Sequence, residues 1–309
     1  MASASTVSAD LPPPDRSGVR TRVLRSAPGD TVRWELWERS PPASMRGLVA
    51  GLWAGSSTRP VARHRTLPNG ELSLMWHLGP TQRLLELDGR LCQGVLGACF
   101  LSGLQERPST FETFEAHTRV VAVRLLPAGG WRLLGGLPQS ELTHCVLDGE
   151  TVLGGGSGVA AVRERMGNAS DLGRALDWLE AWLAERFARS RPAHPATHTA
   201  GLRLFAVRGQ LRVAGLAEAA DVSPRRLREL FLREVGIPPK RLARILRFRG
   251  ALARLATAPA VDLARLALDC GYYDQAHLYR DFRALATMTP VEYLTARGAG
   301  LDGPDVLGS

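Results

Sequence analysis

The chain has 309 residues, 45% hydrophobic and 22% charged, with a net charge of +9. That length holds one large or two ordinary domains, and the composition suits a folded globular protein rather than a disordered one. No uninterrupted apolar run of about 18 residues occurs, and the N-terminus, MASASTVSADLPPPDRSG, lacks the basic start and apolar core of a signal peptide. These features predict a cytoplasmic protein that does not engage a membrane.

Lys240 is the only lysine, so arginine richness by itself says little about nucleic acid. The placement of charge says more. Residues 200–297 hold seventeen Lys/Arg against nine Asp/Glu, a net of +8, which leaves the rest of the chain near neutral. A basic final third on a neutral body is the footprint of a segment that neutralises phosphates. Cys92, Cys99, Cys145 and Cys270 form no CxxC pair and have no histidine at zinc spacing, so reduced thiols are expected and no metal or cofactor.

In chain order, residues 1–20 are Ser-, Ala- and Pro-rich and are expected to be a disordered tail. From Arg22 to about Leu126, short apolar or alternating runs are separated by turn residues: Thr31–Trp37, Leu48–Trp53, Glu71–His77, Leu84–Leu87 and Val120–Leu126. Asp88-Gly89 between two such runs is a hairpin signal. The texture predicts a β-rich domain, a small barrel or half-barrel. Ala128–Gly136 and Gln139–Val146 read as two short helices. Gly154–Gly158 lacks the lysine and hydroxyl of a phosphate-binding loop and reads as a turn. From the N-cap Ser170, an amphipathic helix places Leu172, Leu176, Leu179, Trp182, Leu183 and Phe187 on one side, to pack on its own domain or to form a dimer seam. Residues 191–200 are polar and proline-punctuated, a linker in which His194 and His198 are expected to be exposed.

The final segment reads as helices throughout. Leu202–Gly209 opens it. Val213–Ala220 and Pro224–Val235 form one helix-turn-helix, and a long helix over 239–258 leads to a second motif within Asp262–Leu294. Ser223-Pro224 and Thr289-Pro290 are N-caps followed by proline at the first helical position. Leu227, Phe231 and Pro239 recur as Leu278, Phe282 and Pro290, each 51 residues later, so the motif is an internal repeat. In the second motif Asp262 starts one helix, Gly271 ends it in a left-handed turn, and the next helix opens at Asp274.

GYYDQAHLYRDFRA followed by TPVEYL resembles the second helix-turn-helix of AraC/XylS-type transcriptional regulators. LPNGELSLMWHLG and VVAVRLLPAGGWRLLGGLPQSELTHCVLD resemble, more loosely, the N-terminal domain that precedes the DNA-binding half in some of them. The resemblance implies an α+β chain: a β-rich sensor- or dimerisation-like domain over residues 21–190, then an all-α DNA-binding domain over residues 201–297, with a flexible tail at 298–309. Asp221 and Thr287 stand where the family commonly has glycine, and Pro238 where it has a Ser/Thr cap.

Double-stranded DNA is the expected partner, with RNA polymerase, a small-molecule effector and a second copy of the chain as further ones. On the first recognition helix the DNA-binding set is Ser223, Arg225, Arg226, Arg228 and Glu229. Arginine reads guanine with two hydrogen bonds and glutamate accepts from cytosine. Arg225, Arg228 and Glu229 match base- or backbone-contacting positions of the family by resemblance. On the second helix the set is Gln275, Ala276, His277, Arg280 and Arg283. Gln275 suits adenine, Ala276 a thymine methyl, and the two arginines phosphate. Two other readings stay open: an effector-independent protein whose N-terminal domain only dimerises, and an enzyme domain with a DNA-targeting tail. For the latter no nucleophile–base motif is found, and a non-enzyme is expected.

Overall fold

The computed structural model describes residues 19–25, 33–58, 63–88, 90–112, 117–257 and 262–298. The expected tails at 1–20 and 298–309, apart from Val19, Arg20 and Gly298, lie outside the described residues, as does Gly89 of the expected hairpin turn.

The N-terminal half is built on β1 (Val19–Arg25), β2 (Arg33–Arg39), β3 (Val49–Ser57), β4 (His64–Thr66), β5 (Leu72–His77), β6 (Arg83–Leu87), β7 (Arg90–Val95), β8 (Cys99–Ser102), β9 (Ser109–Glu112), β10 (Thr118–Leu125) and β11 (Val146–Asp148). Among the described residues they form two antiparallel sheets, ordered β1-β2-β3-β10-β5-β8-β11 and β4-β9-β6-β7. The barrel expected from the sequence thus takes the form of two sheets stacked on each other. Successive side chains of a strand point to opposite faces. Leu72, Leu74 and Trp76 of β5 and Val121, Val123 and Leu125 of β10 therefore share one core. Met75 of β5 and Phe100 of β8 turn the other way, towards Leu84 and Phe111 of the smaller sheet. β3 and β10, at the centre of the larger sheet, are buried on both faces, which is why they read as apolar runs with little alternation.

Helices α1 (Pro127–Leu133), α2 (Gly149–Leu153), α3 (Val159–Gly167) and α4 (Leu172–Ala188) follow. The predicted apolar stripe of α4 is buried as a unit, and Trp182 meets Trp76 edge to face with ring centroids 5.4 Å apart. Its N-cap is Asp171, which accepts from the Arg174 N–H, in place of the expected Ser170. The expected helix at Gln139–Val146 is one 3-10 turn, Gln139–Glu141. His144 at φ +63 breaks the helical path, and the Cys145 carbonyl accepts from Gly103 N–H, drawing the chain into β11.

The C-terminal half is α5 (Pro195–Ala206), α6 (Val213–Ala219), α7 (Pro224–Glu234), α8 (Pro239–Thr257), α9 (Leu263–Asp269), α10 (Gln275–Ala286) and α11 (Pro290–Gly298). The segment expected as a linker is helical from Pro195 onward, and His194 and His198 are half-buried rather than exposed. Pro195 stands in the first turn, the His194 imidazole accepts from Ala196 N–H, and the His194 N–H donates to buried Glu234 at 3.0 Å.

The two halves are packed together. Leu104, from the loop after β8, lies in the apolar core of the helical half. Glu71, with a side chain 1% exposed, pairs with Arg249 of α8 and lies 3.7 Å from Arg124. The Arg233 guanidinium covers the Trp131 ring at 5.5 Å. Gly70, at φ +79, abuts α8 so closely that a Cβ there would lie 3.0 Å from Leu242. Among the described residues no helix is long and apolar enough to cross a membrane.

Candidate nucleic-acid interface

The repeat seen in the sequence is a repeat of local geometry. After α6, Val222 N–H donates to Ala217 and Asp221 N–H to Glu218. After α9, Tyr272 N–H donates to Ala267 and Gly271 N–H to Leu268. These are the paired bonds of a Schellman turn, which needs a left-handed residue at its corner. Asp221 (φ +52) and Gly271 (φ +77) supply it. Each following helix is capped by a side chain: Ser223 accepts from Arg226 N–H and Asp274 from His277 N–H. The inner faces are Leu227, Leu230 and Phe231 on α7, and Leu278, Phe282 and Leu285 on α10. Both motifs rest on α8, where Phe248 meets Phe282 with centroids 4.9 Å apart.

That packing leaves most of the sequence-designated residues on the outside. Ser223, Arg225, Arg226, Arg228 and Glu229 are exposed on the first motif, and Gln275, Ala276, Arg280 and Arg283 on the second. His277 differs: it is half-buried, with its ring edge-on to Tyr272 at 5.1 Å. Glu229 lies 3.1 Å from Arg225 and 3.6 Å from Arg226. Arg228 and Arg280 make no ion pair among the described residues. Glu229 therefore offsets two of the α7 arginines, while Arg228 has no acidic partner among the described residues.

Three residues of this surface did not emerge from the sequence. Tyr273, in the turn before α10, is 87% exposed. Asp281 is buried on the inner side of α10 and lies 2.6 Å from Arg244 of α8. Its sequence signal is an acid three residues after Leu278, on the apolar side of the helix. Tyr272 is buried beneath the Arg247 guanidinium, and burial raises its phenol far above the ordinary value.

Several histidines and tryptophans outside this surface are packed among apolar or aromatic side chains. Trp76 is buried in the N-terminal core, Trp53 in a separate apolar cluster of the same half, and Trp131 is buried beneath Arg233 of α7. His64 stacks on Phe111 and His77 on Phe100, and burial lowers both to about 4, so both are neutral near pH 7. Among the described residues no three His, Cys, Asp or Glu side chains are grouped to hold a metal ion. All four cysteines are free, with Cys99 and Cys270 buried. Between the two halves lies a polar cleft of about 440 Å³, lined by Asp88, Arg90, Glu106, Arg107, His144, Arg241 and Arg244 among others.

Two capped helices on one long helix, each presenting polar side chains outward, define a double helix-turn-helix protein. Residues 216–296 match the family described as helix-turn-helix domain, and residues 38–148 match a domain of unknown function, DUF6597. By structure the chain is similar to ToxT from Vibrio cholerae, with 10% identity over 79% of this chain and 98% of that one and a TM-score of 0.46. It is similar also to unsaturated fatty acid-bound ToxT from Vibrio cholerae strain SCE256, with 12% identity, 81% and 97% coverage and a TM-score of 0.47. The AraC-like transcriptional activator CuxR matches with 15% identity, 70% and 80% coverage and a TM-score of 0.29. No curated protein matches the chain by sequence. The chain thus joins a helix-turn-helix domain in its C-terminal half to a β-rich domain of unknown function before it.

Proposed function

We propose that this protein regulates transcription in the cytoplasm by placing α7 and α10 in successive major grooves on one face of double-stranded DNA, roughly 34 Å apart. One observation carries the reading: two capped helices with exposed arginine, glutamine and alanine are fastened to the same helix, α8. Arg228 and Gln275 read base edges in this proposal. Arg225, Arg226, Glu229, Ala276 and His277 complete the base-facing set, while Ser223, Arg280 and Arg283 hold the backbone.

Selection from a random duplex library with the full chain would supply a cognate site. Arg228→Ala and Gln275→Ala should each weaken binding to it by about 1–3 kcal/mol and relax selection in different half-sites. Unchanged affinity in both variants would refute the placement of the helices.

The N-terminal domain, in the same proposal, regulates this binding, through a small-molecule effector, a second copy of the chain or contact with RNA polymerase. Its docking onto α8 through Glu71 and Arg249, and the polar cleft beside Arg241, support control over an independent dimerisation role. Thermal stabilisation of the full chain by a small molecule from the host's metabolite pool is the expected result.

A further inference from the structure

Thr287 ends α10 at φ 57 and ψ 22, a left-handed conformation that β-branched residues rarely adopt. Glycine would take it without strain, and glycine is what the family resemblance calls for at this position. The structure offers a reason for threonine. Its hydroxyl accepts a hydrogen bond from Nη2 of Arg65, on β4 of the N-terminal half.

Arg65 is itself unusual. Arg63, just before β4, pairs with Glu112, as does Arg83 of β6, whereas Arg65 makes no ion pair among the described residues. Its Nε is buried without a partner. The guanidinium instead stands at the C-terminal end of α10, where open carbonyls and the negative end of the helix dipole favour a cation. The chain beyond is held by its own hydrogen bonds. Thr289 accepts from Glu292 N–H and Glu292 accepts from Thr289 N–H, so the start of α11 is closed by a reciprocal cap. β4 faces both ways: Arg65 reaches α10, and the adjacent His64 stacks on Phe111 inside the two-sheet domain.

We propose that Arg65 and Thr287 are positioning residues for the second recognition helix, forming a cap across the two halves by which β4 fixes the C-terminal end of α10. The inference rests on the reading of α10 as a DNA-reading helix. It adds that the pose of this helix is set by the N-terminal domain, so a displacement of β4 reaches DNA through the second motif.

The test uses the full chain and its Arg65→Ala, Thr287→Val, Arg65→Ala/Thr287→Val and Thr287→Ser variants. Hydrogen exchange is followed in peptides covering residues 283–295, with α7 as an internal check on folding. Arg65→Ala and Thr287→Val should each speed exchange about threefold or more, the double variant no further than either, and Thr287→Ser should keep the parent rate. Unchanged exchange in Arg65→Ala, or fully additive effects in the double variant, would overturn the cap. Binding of the library-selected duplex separates the two readings. If exchange responds but Gln275→Ala leaves selection intact, the cap stands and α10 is not the reader. If Gln275→Ala weakens binding while Arg65→Ala leaves exchange unchanged, α10 reads DNA and the cap is refuted.

Discussion

Asp221 and Gly271 occupy the same corner of the two helix-turn-helix motifs, and their difference isolates what a left-handed residue does there. A Cβ at Gly271 would lie 2.9 Å from the Gln210 side chain, in a conformation at φ +77 that L-residues avoid. Gly271→Ala should therefore destabilise the full chain by about 1–2 kcal/mol in thermal unfolding. At Asp221 the φ of +52 is tolerable to aspartate, so Asp221→Gly trades a little strain for backbone entropy and should change stability by less than about 0.5 kcal/mol. A larger loss at Asp221 than at Gly271 would contradict this account. The glycine position was readable from the sequence because glycine has few other uses at the end of an amphipathic helix. Thr287 was readable as a departure, but its partner, Arg65, is 222 residues away and on a different domain.

At the level of elements, regular spacing is what made the helical half legible. Leu227, Phe231, Leu278 and Phe282 lie where the repeat requires them, and all four are buried. α8 ends within a residue of the expected limit, at Thr257. The N-terminal strands were legible as strands, but not in their order. Pairing β10 with β3 and β5, or setting β4 beside β9, depends on contacts with no local sequence signal. The 139–146 segment departs from the helix its residues favour because bonds to Gly103 and Leu104 overrule that preference. The 159–167 helix carries a weak sequence signal, since only Val159, Val162 and Met166 of it are buried. Asp281 belongs to the same scale, since it locks one helix to another. Asp281→Ala removes the partner of half-exposed Arg244 and should cost about 1–2 kcal/mol, with exchange rising along α10 before α7. Equal exchange along both helices would assign Asp281 to the whole domain instead.

Across the whole molecule, the join between halves should respond to pH. His144 hydrogen-bonds to Glu106, which with nearby Asp88 holds its pKa above the ordinary value despite partial burial. Burial pushes Glu106 upward, but its bonds to His144 and to Arg241 of α8, the latter 2.7 Å away, outweigh that and leave it lowered. A histidine raised on folding stabilises fully below its unfolded pKa of about 6.5, and loses that contribution as pH climbs through the folded value. A lowered carboxylate stabilises above its unfolded pKa of about 4.3 and loses it in acid. The join should thus be tightest between these limits. The thermal midpoint of His144→Gln should fall below that of the parent chain at pH 6 and approach it above pH 8. A constant gap would show that charge on His144 has no part in the join.

The helix α5 has a practical consequence for dissecting this protein. It packs against α1 on one side and α6, α7 and α8 on the other, and its first turn is held by Glu234. A tether between independently tumbling bodies would be cut readily by proteases, but here the passage from one domain to the next is itself ordered and shared. Limited proteolysis should spare residues 195–206, and a fragment begun at residue 201 would discard buried Ala196, Thr197 and Ala200 along with the helix start. The helical half is better released by cutting before Ala193, since the first turn of α5 belongs to its core.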